Sequence, residues 1–329
     1  MPSNCWLHTA AITAFALAAC SPAAPTEIPI PPPTPAFAET AAPIPSATSA
    51  PTATAMPLVP AFKHIVTIVF ENKEFGTVIG NSGMPYFNQL ADSYTLLTQH
   101  YAVTHPSLPN YLALISGDTF GLDFSCTKCL YDAETLPDLI EASGRSWKTY
   151  QEDMPSACFD GSDYGLYAMK HNPFMYFEPI RLNRERCSRS VVPLTQLYAD
   201  LAANDLPAYI FITPNLCNDA HDCELPVADQ WLQGLMLLLQ PVLEAASEPY
   251  LIILTWDEGQ GDHSCCGLPE QAGGRIATIL VSPQVRAGFE DDTPYTHYSV
   301  LKTIAESWQL PYIGHAADKE NVLITAPWK

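Results

Sequence analysis

The sequence predicts an α/β fold, a mostly parallel central sheet with helices on both faces. Two observations carry that prediction, and a third places a site on it. Four short runs, HIVTIVF (64–70), AYIFITP (208–214), YLIILTW (250–256) and RIATILVSP (275–283), are rich in Ile, Val and Thr and mostly apolar. Continuous rather than alternating hydrophobicity marks strands covered on both faces. Segments of helical character lie between them, and strands that alternate with helices pair in parallel. Three of the runs also end in polar, metal-competent residues, at the sheet edge where such folds bind ligands.

Taken in order, the chain opens on CWLHTAAITAFALAAC (5–20), an apolar stretch too short to span a bilayer comfortably and closed by small residues. That is the pattern of an export signal over residues 1–20. Its end, LAAC (17–20), resembles the bacterial lipoprotein lipobox. The resemblance implies lipidation and membrane attachment at Cys20, and an exported protein of the cell envelope or secreted from it. Residues 21–60 are dominated by Pro, Ala, Thr and Ser, with PIPPPTP and PTATAMP among them. Such a segment cannot bury enough apolar surface to offset its ordering entropy, and it reads as an extended tether.

Residues 61–329 form the expected catalytic body. After the first strand come helix candidates LPNYLALIS (108–116), with Pro109 tolerated in the first turn, TLPDLIEAS (135–143) and PLTQLYADLAAN (193–204). VADQWLQGLMLLLQPVLEAAS (227–247) separates the second strand from the third, and YSVLKTIAESWQL (298–310) follows the fourth. Eight cysteines remain beyond the leader, and an even number in an exported chain points to disulfides. Cys217 with Cys223 is the natural local pair. CTKC (126–129) has no second CxxC to complete a zinc site, so it too reads as cystine. Cys265 and Cys266 are expected to bond elsewhere rather than to each other.

With 35 acidic against 15 basic residues the formal net charge is −20, which opposes attachment to nucleic acid or anionic lipid surfaces. An anionic substrate then needs local cations or a metal. Glu71-Asn72 follow the first strand; Asn215, Asp219, His221 and Asp222 follow the second; Asp257-Glu258 follow the third. Any one of these alone is more often a helix cap or loop residue. Their coincidence at one edge indicates a site. Ser107 sits just before the helix at 108–116, where taken alone it reads as an N-cap; at this edge, backbone amides and the helix dipole attract a phosphate there and a nearby cation helps ionise the hydroxyl. Thr104 is the competing hydroxyl.

SLPNYLALISG (107–117) resembles the nucleophile segment of the alkaline phosphatase superfamily, in which Ser or Thr followed by x-Pro-Asn attacks phosphorus. Together with FENKEF (70–75), YQEDMP (150–155), KHNPF (170–174), PNLCNDAHDC (214–223), WDEGQGDH (256–263) and THYSVLKTIAESWQLP (296–311), it makes the chain resemble the bacterial phosphoesterase family. That family includes phospholipases C and secreted acid phosphatases. Sulfatases of the same superfamily carry Arg at the fifth motif position, where this chain has Tyr111.

The resemblance implies an alkaline phosphatase-like fold and a divalent metal held by Glu71, Asn72, Ser107, Asp257 and Glu258. Such an all-oxygen set suits Mg, Ca, Mn or similar ions. It implies a phosphoserine at Ser107, with His221 and His263 as ligands, phosphate donors or the acid for the leaving alkoxide. Lys170, His171 and Asn110 are the expected substrate-binding residues. His105 and His297 adjoin motifs; His297, at a helix start, reads as a structural histidine bonded to backbone, His105 stays open between that and a site role, and His64 and His100 read as structural or exposed. The implied activity is phosphate monoester hydrolysis, with phosphoinositide head groups such as phosphatidylinositol phosphate as a candidate substrate class. A phospholipase C-type diesterase and a phosphate-ester-binding lipoprotein are the alternatives.

Overall fold

The computed structural model describes residues 57–329; the leader, Cys20 and most of the tether lie outside the described residues. The strands are β1 (His64–Phe70), β2 (Thr95–Tyr101), β3 (Trp147–Gln151), β4 (Asp163–Tyr164), β5 (Tyr167–Ala168), β6 (Val191–Pro193), β7 (Tyr209–Thr213), β8 (Tyr250–Trp256), β9 (Arg275–Val281), β10 (Phe289–Asp291) and β11 (Tyr295–Thr296). The α-helices are α1 (Phe75–Val78), α2 (Pro85–Ser93), α3 (Ser107–Ser116), α4 (Leu136–Ala142), α5 (Glu178–Arg181), α6 (Arg184–Ser190), α7 (Thr195–Ala203), α8 (Leu225–Ala245) and α9 (His297–Ser307).

Nine strands form one sheet in the order β10-β2-β9-β8-β1-β7-β3-β6, with β11 also on β2; β4 and β5 make a separate hairpin. Every pairing in the large sheet is parallel except those of β9, which runs antiparallel to both β2 and β8. The predicted mostly parallel sheet is therefore present, with one reversed strand inside it.

The unbroken apolar runs are explained by what covers the sheet. Ile65 and Val69 of β1, Phe211 of β7 and Leu251 and Ile253 of β8 pack on one side with Leu112 and Ile115 of α3, Ile140 of α4 and Leu301 and Ile304 of α9. Val66, Ile68 and Phe70, with Ile210, Ile212, Ile252 and Leu254, pack on the other side with Phe87 of α2, Leu197 of α7 and Leu232 and Leu239 of α8. Both faces are dry, so alternation is absent. The body also begins earlier than the sequence suggests. Val59 is buried, and Ser307 clasps the entering chain, accepting from Phe62 N at 3.1 Å and donating to Pro60 O at 2.8 Å.

Among the described residues four disulfides join Cys126–Cys129, Cys158–Cys187, Cys217–Cys223 and Cys265–Cys266. The last corrects the expectation that adjacent cysteines bond elsewhere. Cys266 adopts a left-handed backbone, φ 60°, and this turn brings consecutive Sγ atoms together.

Candidate active site

The carboxyl ends of β1, β2, β3, β7 and β8 lie along one edge. Because β9 is antiparallel, its first residue, Arg275, pairs with the last of β2, Tyr101, so the chain leaving β2 meets the loop entering β9 at that edge. Glu71 follows β1 directly, Asp257 and Glu258 follow β8, and the segment after β2 turns through His105 and Pro106 to start α3 at Ser107. Ser107 is the first helical residue, and Pro106 occupies the cap position. Its hydroxyl therefore serves no capping role. It points to Glu71 Oε2 at 3.0 Å and Glu258 Oε1 at 2.8 Å. Thr104 instead donates to the backbone oxygen of His105 at 3.2 Å and meets no carboxylate.

Asp257 is fixed from both sides. Its Oδ1 accepts from Asn72 N at 2.9 Å, and its carbonyl oxygen lies 2.6 Å from Nε2 of the buried His297. His297 is thus structural, as expected. His64 lies 2.9 Å from Pro207 O, and His100 is buried against Thr278. Asn72 sits at φ 56°, a left-handed conformation that Asn tolerates, and lines an open groove with His105, Pro106 and Glu258. His105 is more than backbone support: its Nδ1 pairs with Glu258 Oε2 while Nε2 lies 3.2 Å from Gly261 O. The Glu258 carboxylate raises the His105 pKa against the opposing effect of burial.

His171 enters the cluster from the short turn Met169–His171 and stacks on Tyr111, ring centroids 5.3 Å apart. Its Nε2 lies 3.0 Å from Glu71 Oε1 and its Nδ1 3.3 Å from Asp219 Oδ2. The structure therefore places His171 among the buried carboxylates, where the sequence had assigned it to substrate. Lys170, beside it, lies 3.2 Å from His221 Nε2, and His221 Nδ1 meets Asp222 at 2.6 Å.

Two expected site residues are elsewhere. Asn110 is buried with its amide fully used: Oδ1 accepts from Val103 N and Thr104 N at 2.9 and 3.2 Å, and Nδ2 donates to Thr104 O and Pro106 O at 2.7 and 3.2 Å. It has no capacity left for a substrate and instead shapes the loop before Ser107. His263 is 73% exposed and lies 3.5 Å from Glu74 Oε1, not at Ser107. The glycines around it turn the chain onto Glu74, whose carboxylate accepts from Gln260 N, Gly261 N and Arg275 N, each at 3.1 Å. Glu74 and His105 were not singled out as functional by sequence, although FENKEF and THPSLPN contain them.

The donor set fits a divalent cation. Ser107 Oγ, Glu71 Oε2 and Glu258 Oε1 share one hydroxyl proton among close contacts, and Glu71 Oε1, Asp219 Oδ2 and Asp257 Oδ2 are buried without a hydrogen-bond partner. Buried oxygens without donors are costly unless a cation collects them. Burial, reinforced by Asp257 and Asp219, pushes the Glu71 carboxyl well above its usual range. Burial raises Asp219 to about 8 and, with the Glu258 charge, Asp257 to about 7. Such carboxyls await a positive partner.

The fold is that of alkaline phosphatase superfamily proteins. A superfamily member from Vibrio parahaemolyticus superposes with a TM-score of 0.51 at 12% identity, over 80% of this chain and 71% of that one. Residues 81–311 match the phosphoesterase family, and the chain belongs to it. It is 36% identical to a phosphate-repressible acid phosphatase of Penicillium chrysogenum, over 80% of this chain and 63% of that protein. It is 32% identical to a phosphatidylinositol-3-phosphatase of Mycobacterium tuberculosis, over 79% of this chain and 81% of that protein. The chain spans 58–63% of the length of the first three acid phosphatases it matches.

Proposed function

We propose that the protein is an exported, metal-dependent phosphoric monoester hydrolase that works through a phosphoserine at Ser107. The observation that carries this reading is the Ser107 hydroxyl, at the start of α3 and within 3.0 Å of two buried carboxylates. A bound cation would supply Lewis-acid charge for the phosphoryl oxygens and lower the pKa of the Ser107 hydroxyl. Glu71, Asp257, Glu258 and the side chain of Asn72 would hold it.

The remaining steps belong to the chain. Ser107 Oγ forms a bond to phosphorus and gives its proton to Glu258 Oε1, the nearest acceptor at 2.8 Å. The P–O bond to the alcohol breaks on the opposite side. Lys170 supplies the positive charge that the acidic surface lacks, and His221, held at Nδ1 by Asp222, carries the proton for the leaving oxygen. Water then attacks phosphorus and gives a proton to His221, restoring the one lost to the alcohol; the P–Oγ bond breaks, and Ser107 takes its proton back from Glu258. The first amides of α3, free of intrahelical partners as at any helix start, would bind the transferring phosphoryl group.

Names of the relatives support a phosphomonoester substrate, with a phosphoinositide head group as the lipid version. Membrane attachment through Cys20 would place the enzyme beside such a substrate. Phosphate release from p-nitrophenyl phosphate, a phosphatidylinositol phosphate and phosphatidylcholine tests the reading. Monoester cleavage should dominate; diacylglycerol from phosphatidylcholine with little monoester cleavage would make it a diesterase. Ser107→Ala should lose about a thousandfold or more in kcat with its fold intact. Retained turnover would move the attack to Thr104 or to water.

A further inference from the structure

A cavity of about 500 Å³, lined in part by Val103, Thr104, Tyr298 and the turn 266–269, takes no part in the chemistry above. The chain places it beside the nucleophile. Val103 and Thr104 wall the cavity, and the next two residues, His105 and Pro106, wall the groove that contains Glu258. In the loop after β8, Gln260 and Asp262 wall the groove and 266–269 wall the cavity. The two spaces therefore share both enclosing segments. Thr104 precedes Ser107 by three residues, which holds their Cα atoms within about 11 Å of each other. A phosphate at Ser107 Oγ carries its alcohol within reach of this space, whose volume is that of a small-molecule pocket.

The lining says which alcohol fits. Val103, Leu268 and Tyr298 pack together as one apolar wall. Thr119, His315, Asp318 and Glu320 add hydrogen-bonding groups, and no Lys or Arg lines the cavity among the described residues. Asp318 Oδ2 lies 2.8 Å from His315 Nδ1, and the His315 ring centroid is 5.2 Å from that of Tyr298. Lys302 is committed to the backbone oxygens of Asp318 and Asn321 at 3.2 and 2.8 Å. Burial, with the charges of Asp118 and Asp318, holds the Tyr298 phenol above its usual range, so it remains a hydrogen-bond donor.

We propose that this cavity receives the alcohol half of the substrate, and that this alcohol is a cyclic polyol, a hexose or an inositol, with no second anionic group inside the cavity. The inference rests on the monoesterase reading above and names its substrate class. A ring face lies on Tyr298, and the ring hydroxyls donate to the Asp318 and Glu320 carboxylates. A second phosphate would meet those same carboxylates with no free cation to offset them. A phosphoinositide fits with its ring in the cavity and its diester phosphate outside.

The test compares kcat/KM of the whole enzyme for inositol 1-phosphate, inositol 1,4-bisphosphate and p-nitrophenyl phosphate. Wild type should favour the monophosphate over the bisphosphate by about tenfold or more, and Asp318→Asn with Glu320→Gln should erase that preference. In Tyr298→Phe the ratio for inositol 1-phosphate over p-nitrophenyl phosphate should fall about tenfold. Saturation-transfer NMR on Ser107→Ala reads binding without turnover: the ring protons of inositol 1-phosphate should take saturation, and adding Leu268→Trp should abolish it. Circular dichroism checks each fold; if Leu268→Trp misfolds, Tyr298→Phe replaces it and should weaken the same signal. Equal rates on mono- and bisphosphate with unmoved ratios in the variants, or ring saturation untouched by them, overturns the proposal. Monoester hydrolysis with those silent variants would leave the function standing without the cavity. Ring saturation that the variants abolish, in a protein that hydrolyses no monoester, would keep the cavity and sink the monoesterase.

Discussion

Ser107 offers one proton to two carboxylates, Glu71 and Glu258, and in the proposed function a bound cation relieves that crowding. The raised pKa values of Asp219 and Asp257, about 8 and about 7, have a consequence for the chelated protein. Folding favours the protonated carboxyl of each, so this stabilisation is complete below their ordinary pKa and is lost as pH rises through 7 to 8. Metal-stripped protein should therefore melt higher at pH 5 than at pH 8 in differential scanning calorimetry. Metal replaces the protons, so the loaded protein should lose that difference or reverse it. Asn110 makes a second prediction. Asn110→Ala removes the acceptor from two amides, of Val103 and Thr104, in the loop before Ser107. It should cost about 3 kcal/mol in urea unfolding, with KM changing less than kcat because the residue positions the loop and does not touch substrate. Residues that directly follow a strand, Glu71, Asp257 and Glu258, were legible because the strand fixes where they emerge. Asn110 and His171 were not, since a motif shows which residues travel together and leaves open which of their atoms are already bonded.

At the scale of elements, the predicted strands were those buried almost throughout, such as β1 and β8, and the predicted helices included α8, which keeps a long apolar face. β2 escaped because its middle is half-exposed and its pairing with β9 shifts register between Leu97 and His100. That strand leads to Ser107, so the sequence singled out Ser107 without the element that positions it. The antiparallel course of β9 was likewise invisible, because a strand buried on both faces reads the same in either direction. Gly273, just before β9, shows how tightly the two are joined. A Cβ there would lie 2.4 Å from Thr104 O and 2.6 Å from Ala102 Cβ. Gly273→Ala should cost about 1–3 kcal/mol and lower kcat by displacing the nucleophile loop. Gly234 in α8 has open space around its would-be Cβ. Gly234→Ala should stabilise by about 0.5–1 kcal/mol at unchanged activity, which a denaturation curve beside a kinetic assay would show.

For the whole molecule, the alternation of apolar runs with helical segments read as an α/β body, which the structure shows, and the family match places 81–311 within the phosphoesterases. The disulfide of widest reach, Cys158–Cys187, spans a separation of 29 residues. Replacing both by Ala should cost about 3–4 kcal/mol on loop-closure grounds, measured as a fall in denaturation midpoint. The central claim concerns one atom, Ser107 Oγ. The most direct measurement is an acid quench of the working enzyme on p-nitrophenyl phosphate, followed by mass spectrometry of the peptide that contains Ser107. The account predicts a phosphoryl group on Ser107 in wild type and none in Ser107→Ala. Full turnover with an unmodified Ser107 peptide, or the phosphoryl group on Thr104, would contradict it.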